Sequence, residues 1–325
     1  MSVINEATCD GLWTACSHHP ATLAWARLQQ RPVETAEVAV LKKRFKSAIF
    51  RIGGVGPASS SIVAKYCQKE VAAHERVVYE QILRGLPVSS PRYYGFVQGD
   101  SNYDWVFLEY VEGQQYSRER ADHAILAGRW LGLLHALGAR VPAAARLPGR
   151  ASAYYLQHLR TTGEKLQRNQ NRIHLPAHEL ATVKGVISQC NFLESHWGQI
   201  ERWCDRMPST LLHGDFKPRN VIIRTVNGLP ALFPFDWEVS GWGVPAEDLA
   251  YIDLAAYRDV VQCHWPGVTM RDLHCMKIVG RIFRGLCEFR WESVKFEPDW
   301  DFSAIKLDIY YLRMKEAIEM AEWEE

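Results

Sequence analysis

The sequence lacks the patterns by which cysteines usually bind metals or form a disulfide framework. Its eight cysteines are scattered, without a C-x-x-C pair or a Cys/His ligand spacing. It also lacks an apolar run approaching the ~18 residues of a membrane span, and the N-terminal stretch MSVINEATCDGLW lacks the basic start and apolar core of a signal peptide. These absences predict a reduced, cytoplasmic protein without a membrane segment, and they argue against a zinc module.

Net charge is nearly absent as well. The 325 residues carry a formal charge of +1, so no overall charge favours nucleic acid or a membrane surface, and nothing indicates a protein partner. The charge is uneven along the chain, however, because residues 230–325 hold 18 Asp+Glu against 10 Lys+Arg, a net charge of −8. With 47% apolar residues, a chain of this length can form one large domain or two lobes.

The hydrophobic pattern changes from strand-like to helical near residue 112. Before it, the stretches EVAVLKKRF, KSAIFRI, SIVAKYC, PRYYGFVQ and DWVFLEYV predict five strands, with a helix over 68–86 after the third. After Gly113 long helical patterns follow, interrupted by one hairpin that turns at Asn227-Gly228. We therefore predict an α+β fold of two lobes. Residues 1–112 form a small antiparallel-sheet lobe, with 1–35 as an unassigned extension, and residues 113–325 form a larger, mainly helical lobe.

Three polar motifs follow one another in the second half of the chain. HGDFKPRN (213–220) contains Asp215 and Asn220, FPFDWE contains Asp236, and PAEDLA contains Asp248. Phosphoryl transfer needs a carboxylate near the attacking hydroxyl and metal ions on the phosphates, and Asp and Asn oxygens suit Mg²⁺. In this order the motifs resemble the signatures of the aminoglycoside phosphotransferase / choline kinase family, which has the protein-kinase-like fold.

The resemblance implies a kinase that uses ATP or GTP with Mg²⁺ and binds a small molecule with a hydroxyl group. It implies that Asp215 acts as the catalytic base, that Asn220 and Asp236 hold Mg²⁺, and that Asp248 orients the catalytic loop. Lys217 departs from the family, which more often has histidine there. Two interpretations stay open for it: a catalytic group that offsets charge on the transferred phosphoryl group, or a surface lysine.

In the small lobe, the family implies a strand lysine that binds the nucleotide phosphates and pairs with a helix glutamate. Lys65 in SIVAKYC occupies that place. Among the glutamates of the following helix, Glu75 lies within the apolar stripe, whereas Glu70 and Glu80 lie off it. Because a buried acid is costly unless it is paired, we predict that Glu75 is the partner of Lys65.

Two further stretches concern the nucleotide. WVFLEYVEG resembles the hinge of the family, which implies that the Glu109 carbonyl and the Val111 N–H bind the adenine; the alternative is an ordinary edge strand. GGVGP (53–57) lies too close to Lys65 to be the phosphate loop, so we predict that it is the turn between the second and third strands. The phosphate loop then falls at KKRFKSA (42–48), with contacts from backbone N–H groups and Ser47.

The spacing distinguishes between kinds of kinase. A protein kinase carries an activation segment that ends in A-P-E, but here only eleven residues separate Asp236 from Asp248, and no A-P-E is present. Gly214 also replaces the arginine of the H-R-D motif. We therefore predict a small-molecule O-phosphotransferase. The alternatives are a catalytically silent nucleotide-binding scaffold and, less favoured, a protein kinase.

The acceptor is predicted only by charge and aromatic content. The acidic last third holds aromatic residues that would suit a cationic antibiotic, an amino-sugar or a choline-like amine, and a sugar metabolite is a further candidate. These residues are Trp242, Tyr257, Trp265, Trp291, Trp300, Tyr310 and Tyr311. The alternative is that the acidic helices are solvated faces. His135 in WLGLLHALG is interpreted as a packed core residue.

Overall fold

A computed structural model of the chain describes residues 14–15, 18–34, 36–44, 47–100, 102–170, 176–293 and 306–324. The chain forms two compact units. Met1–Tyr116 and Lys217–Glu238 form the first, which we call the sheet unit, and Ser117–Phe216 and Val239–Glu325 form the second, the helical unit.

The sheet unit is built on a six-stranded sheet in which all neighbouring strands are antiparallel. In hydrogen-bonded order its strands are β1 (Thr14–Ala15), β2 (Glu37–Arg44), β3 (Ser47–Gly53), β4 (Ile62–Gln68), β6 (Tyr103–Glu109) and β5 (Tyr93–Gln98). The five strands predicted before residue 112 are therefore present. Residues 54–61, with a 3₁₀ turn at Pro57–Ser59, connect β3 to β4 as predicted.

Two helices accompany this sheet. Helix α1 (Pro20–Gln29) inserts Trp25 into an apolar core that contains Ile52, Ile62 and Phe107. Helix α2 (Lys69–Val77) follows β4 and continues into a π-helical turn and then a 3₁₀ turn, at Val78–Ile82 and Leu83–Gly85. The predicted helix over 68–86 is present, but its last two turns change geometry.

A hairpin from later in the chain belongs to the sheet unit. Its strands β10 (Val221–Val226) and β11 (Leu229–Pro234) pair antiparallel, and β7 (Gln114–Gln115) pairs with β10. The predicted turn at Asn227-Gly228 is present, with both residues at positive φ. The sequence-based boundary near 112/113 stays a prediction; it followed chain order and assigned this hairpin to the second lobe.

The helical unit surrounds a small three-stranded sheet, in which β12 (Gly241–Gly243) lies between β8 (Gly149–Arg150) and β9 (Thr210–Leu212). Its helices are α3 (Ala121–Gly138), α4 (Ser152–Asn169), α5 (Ala177–Ser195), α6 (Trp197–Cys204), α7 (Ala246–Leu249), α8 (Leu254–Val261), α9 (Met270–Ser293) and α10 (Leu307–Glu319). The end of β9 leads directly into His213 and the HGD motif. The antiparallel sheet and the helical remainder confirm the predicted α+β class.

Of the helices in the part of the chain that the structure describes, none combines the length and the apolar character that a bilayer crossing requires.

Candidate active site

A buried charged cluster lies in the sheet unit. Lys65, on β4, places its Nζ 2.9 Å from Oε1 of Glu75, on α2, and 2.7 Å from Oδ1 of Asp236. The side chains of Lys65 and Glu75 are 6% and 1% exposed. Glu75 Oε1 also accepts a hydrogen bond of 3.0 Å from the N–H of Trp237, the residue after Asp236. The ion pair predicted from the helical stripe is therefore present, and Glu75 holds both Lys65 and the chain beside Asp236.

The two carboxylates keep this lysine charged. Burial by itself would lower the pKa of Lys65, but the attraction of Glu75 and Asp236 outweighs it and raises that pKa well above its ordinary value. Glu75 Oε2 is buried and has no hydrogen-bond partner among the described residues. A permanently protonated lysine at this place can bind phosphate oxygens.

A cleft of about 450 Å³ opens over this cluster, a volume in the usual range for a small-molecule site. Its lining combines apolar residues with the charged cluster: Leu41, Lys42, Ile49, Val63, Lys65, Glu75, Pro91, Leu108, Glu109, Tyr110, Val111, Arg219, Asn220, Ile222, Phe235 and Asp236. The structure thus brings six of the nine sequence-predicted site residues to one cleft. The exceptions are Ser47, Asp215 and Lys217.

The predicted hinge residues lie at the end of β6. The N–H of Glu109 donates to the carbonyl of Arg92 at 2.8 Å, and the Glu109 carboxylate contacts the Arg224 guanidinium and accepts from the Arg92 N–H. The side chain of Glu109 is therefore engaged in holding β5 and the later hairpin. Binding of adenine by the Glu109 carbonyl and the Val111 N–H stays a prediction.

The predicted phosphate loop at 42–48 is mostly strand. Lys42 pairs with Ile49, Lys43 with Ala48 and Arg44 with Ser47, so that β2 and β3 extend through all but two of those residues. Phe45 and Lys46 lie outside the described residues. The connection between β2 and β3 therefore falls within 42–48, next to the strands predicted there, and a role of this stretch in binding phosphates stays a prediction. Ser47 does not line the cleft, whereas Lys42, which was not singled out, does.

Asn220 and Asp236 lie at the two ends of the β10–β11 hairpin, and both line the cleft. The N–H of Phe235 donates to the carbonyl of Asn220 at 3.0 Å, and Asp236 adopts the left-handed φ of 69° that L-residues rarely hold. No group of three or more His, Cys, Asp or Glu side chains among the described residues could enclose a metal. Mg²⁺ is usually bound by one or two carboxylates together with substrate phosphates and water. The hard oxygens of Asn220 and Asp236 fit such a site.

The HGD motif is held in place from within the helical unit. Asp248, on α7, accepts hydrogen bonds from the N–H of His213 at 2.7 Å and from the N–H of Gly214 at 3.0 Å. Burial would raise the pKa of Asp248, but bonding to His135 and His213 lowers it below the ordinary value. Asp248 therefore stays ionised and orients the loop by accepting backbone hydrogen bonds, as predicted.

His135 is buried as predicted, but it is more than a packing residue. Its Nε2 lies 3.2 Å from Asp248 Oδ2, and its Nδ1 lies 3.0 Å from the Tyr257 hydroxyl. The sequence did not show this link, because a histidine on an apolar helix face is more often a core residue. Thr210 on β9 also donates to the His135 carbonyl, at 2.5 Å. The ring thus connects α3 to the acid that holds the HGD motif.

The local backbone geometry explains why the HGD motif has glycine at position 214. Gly214 has a φ of +74°, and a Cβ at this position would lie 2.6 Å from the carbonyl oxygen of Val239. Any L-residue would be strained here and would also collide with backbone. The absence of an activation segment predicts only that the H-R-D arginine is dispensable; the close approach of Val239 explains why glycine in particular occupies the position.

Asp215 is mostly buried, with its side chain 12% exposed. Arg284 on α9, itself 8% exposed, places Nη2 3.9 Å from Asp215 Oδ1 and donates from Nη1 to the Phe216 carbonyl at 3.5 Å. The Asp215 N–H donates to His213 Nδ1 at 3.3 Å. Arg284 was missed because it lies some 70 residues beyond the loop, within an ordinary amphipathic pattern.

Lys217 is the first residue of the chain to return to the sheet unit. It is half-buried and extended, and its carbonyl accepts a hydrogen bond of 2.9 Å from the Asn220 N–H. Its backbone thus closes the turn that positions Asn220. The catalytic role of its side chain stays a prediction.

At least two of the seven aromatic residues of the last third belong to the core. Tyr257 is fully buried and hydrogen-bonded to His135, and Trp265 is buried as well. Trp300 lies outside the described residues. An aromatic wall for a cationic acceptor is therefore not formed by this set, because helix packing turns at least two of its members into the core.

The family model of the APH phosphotransferase enzyme family matches residues 25–272. Similar solved structures include the GDP and kanamycin complex of an APH(2") enzyme, with 15% identity and a TM-score of 0.60 over 92% of this chain and 98% of that chain. Choline kinase from Cryptosporidium parvum shares 12% identity with a TM-score of 0.59, covering 87% of this chain and 88% of its own. A Plasmodium vivax ethanolamine kinase shares 16% identity with a TM-score of 0.54, covering 88% and 82%.

No curated protein sequence matches the chain significantly. At these identities the solved structures are similar in fold alone, which is the protein-kinase-like fold predicted from the motifs. The family match covers well over half of the chain and includes the Lys65 strand, the HGD motif and Asp236. The chain belongs to the APH phosphotransferase enzyme family.

Proposed function

We propose that this chain is a phosphotransferase that moves the γ-phosphoryl group of ATP or GTP to a hydroxyl group of a small molecule. The observation that carries the proposal is the buried set of Lys65, Glu75 and Asp236 in a cleft that also contains Asn220. Membership of a phosphotransferase family supports it, as do relatives of the same fold that are named choline and ethanolamine kinases or hold GDP.

The nucleotide binds in the cleft of the sheet unit. The Lys65 ammonium binds phosphate oxygens, and its two carboxylate partners keep it charged and fixed in direction. The hinge contacts of Glu109 and Val111 hold the base, and Ser47 is a further proposed phosphate contact. Asn220 and Asp236 would hold Mg²⁺, which neutralises charge on the phosphates when it is bound.

Asp215 acts as the catalytic base. The acceptor hydroxyl loses its proton to Asp215, its oxygen forms a bond to the γ-phosphorus, and the bond from that phosphorus to the β–γ bridging oxygen breaks to release the nucleoside diphosphate. Asp248 and Arg284 hold Asp215 and its loop at a set position. Lys217, two residues later, offsets charge on the group in transfer.

The test is ADP release from Mg·ATP with a panel of hydroxyl metabolites and aminoglycosides, run with wild type and Asp215→Asn. We expect the substitution to lower kcat by about 10²- to 10⁴-fold, the usual contribution of a general base, with little change in nucleotide affinity. Asp259→Asn, an exposed aspartate of the same unit, is the matched control and should leave the rate unchanged.

Equal rates for wild type and Asp215→Asn would remove Asp215 from the mechanism. Nucleotide binding without turnover for any acceptor would favour the silent scaffold instead. Labelled phosphate on a peptide would point to a protein kinase.

A further inference from the structure

A small cavity of about 70 Å³ lies beside the HGD motif, wholly within the helical unit. Gly214, the residue before Asp215, forms part of its wall. The volume is close to the share of two water molecules in the liquid, so it suits one terminal group of a ligand and not a whole ring. Its titratable lining side chains of formal charge or imidazole type are Arg150, His158, Glu247 and Arg290, and Tyr154, Cys287 and Trp291 add a hydroxyl, a thiol and an indole.

Arg150 is buried but incompletely bonded. It is 7% exposed, donates from Nη2 to the Val239 carbonyl at 2.5 Å and packs on the Tyr154 ring at 4.3 Å. Its Nε–H is buried without a hydrogen-bond partner in the described residues, and Arg150 forms no ion pair with a carboxylate in those ranges. A buried donor without an acceptor is costly, so an acceptor group from a ligand in the cavity would be stabilising here.

Arg290, from α9, adds a second guanidinium. Its Nη1 lies 3.2 Å from Nε2 of His158. Burial, with Arg290 and Arg150 nearby, lowers the pKa of His158 to about 4, so the imidazole is neutral near pH 7 and accepts from Arg290. The contact therefore orients Arg290 without neutralising it, and no carboxylate of the described chain forms an ion pair with it.

Glu247 offsets only part of this charge. Burial raises its pKa to about 7, and it accepts a hydrogen bond of 2.9 Å from the Tyr155 hydroxyl. The raised pKa weakens its negative charge near neutral pH, and it also faces Arg284. Two guanidinium groups against a partly protonated acid leave the cavity positive.

Part of the acidic charge of the last third lies at the surface, away from this cavity. On α10, Glu316 pairs with Arg281 at 3.3 Å and Glu319 pairs with Lys315 at 3.8 Å, and all these contacts reach the surface. These acids belong to solvated faces, the alternative that the sequence left open. They provide no reason to expect a cation beside Asp215.

We propose that the phosphoryl acceptor is a hydroxy acid, whose carboxylate binds to Arg150 and Arg290 in this cavity while its hydroxyl lies at Asp215. The planar guanidinium groups match a carboxylate in shape and charge. This inference rests on the proposed function and names the substrate class for the same site.

The experiment uses two matched sets of compounds, glucuronate with glucose and glucosamine, and glycolate with glycolamide and ethanolamine. Binding to the full chain is measured by calorimetry, and turnover is measured as ADP release from Mg·ATP. Within each set we expect the acid to bind at least about tenfold more tightly than the neutral and cationic compounds.

Arg290→Gln removes an exposed charge and should weaken binding of the acids at least about tenfold, with little effect on the neutral compounds. Arg150→Lys keeps the positive charge but removes the planar guanidinium group, and should also weaken binding of the acids. The matched control is Arg271→Gln, because Arg271 is an exposed arginine of the same helix that lines a different cavity. It should retain the preference for acids and the unfolding midpoint of wild type.

A preference for the amines, no preference at all, or a preference for acids that survives both arginine substitutions would overturn the inference. The proposed function fails in a different way. In that case the acids bind through Arg150 and Arg290, but no compound stimulates ADP release and Asp215→Asn changes nothing.

Discussion

Replacing Glu75 with glutamine tests the buried ion pair of the sheet unit. The side chain is 1% exposed, and its Oε1 accepts hydrogen bonds from both Lys65 and the Trp237 N–H. Glutamine keeps an oxygen for both donors but loses the negative charge. Lys65 retains Asp236 at 2.7 Å. The substitution therefore removes one of the two charges that hold a buried ammonium.

The expected loss in the free energy of unfolding is about 2–3 kcal/mol. Breaking a buried ion pair by removing one partner costs about 3–5 kcal/mol, and the remaining carboxylate of Asp236 reduces that cost. Glu75→Ala also leaves the Trp237 N–H without its acceptor. Its loss in the free energy of unfolding should therefore reach the full range of about 3–5 kcal/mol.

The functional consequence follows from the same contacts. Without Glu75, Lys65 is drawn to Asp236 alone, and both are taken from the positions that the nucleotide phosphates and Mg²⁺ need. We expect the KM for ATP to rise about tenfold, which corresponds to about 1.4 kcal/mol, and kcat to fall less.

Urea unfolding followed by tryptophan fluorescence measures the stability, and steady-state ADP release measures the KM. Glu70→Gln is the matched control, since Glu70 is an exposed acid in the first turn of the same helix; it should change stability by less than about 0.5 kcal/mol. If Glu75→Gln is as stable and as active as Glu70→Gln, the buried pair neither stabilises the fold nor positions Lys65 for ATP, and the reasoning is refuted.

Three further substitutions test the helical unit. Gly214→Ala places a Cβ 2.6 Å from the Val239 carbonyl at a φ of +74°, so its urea midpoint should indicate a loss of about 2 kcal/mol or more; a neutral result would contradict the close approach. Asp248→Asn removes the charge that accepts two backbone N–H groups, and should cost about 1.5–3 kcal/mol in unfolding and lower kcat more than it raises the KM for ATP; an unchanged kcat would argue against loop orientation. Burial raises the pKa of Glu247 from 4.5 to about 7, so the folded state binds this proton more tightly than the unfolded chain. Its contribution to stability is complete below pH 4.5 and is lost as the pH rises to about 7. Glu247→Gln should therefore gain stability relative to wild type between those pH values in urea midpoints, and a constant difference would contradict the raised pKa.

Much of the sheet unit could be predicted from local pattern. Alternation of apolar and polar residues located its strands, and the helical stripe selected Glu75 among three glutamates as the partner of Lys65. Both inferences depend on the geometry of a single strand or helix, and the side-chain period of such an element is visible in the sequence. Local pattern did not predict which residues of the 42–48 stretch line the cleft. Lys42 lines it and Ser47 does not, because packing of the whole sheet sets which side chains reach the cleft.

In the helical unit, local sequence patterns did not identify several residues near the HGD motif. Arg150 on β8 and Arg284 and Arg290 on α9 come from two distant places in the sequence, and each alone resembles a surface residue of an amphipathic element. Their burial or convergence near the HGD motif depends on how α9 and β8 pack. The aromatic residues of the last third illustrate the converse, because packing buries Tyr257 and Trp265 in the core.

The sequence by itself determined the class of fold, the family and its three polar motifs, because these depend on short spacings within one loop, strand or helix. The tertiary structure decided which charges are buried, which are neutralised and which are left to bind a ligand. It alone showed that Glu75 is shared between Lys65 and the backbone beside Asp236, that Gly214 lies against Val239, and that Arg150 and Arg290 line one cavity beside the HGD motif. Burial and hydrogen bonding set the charge of a site, and both arise only when distant segments of the chain pack together.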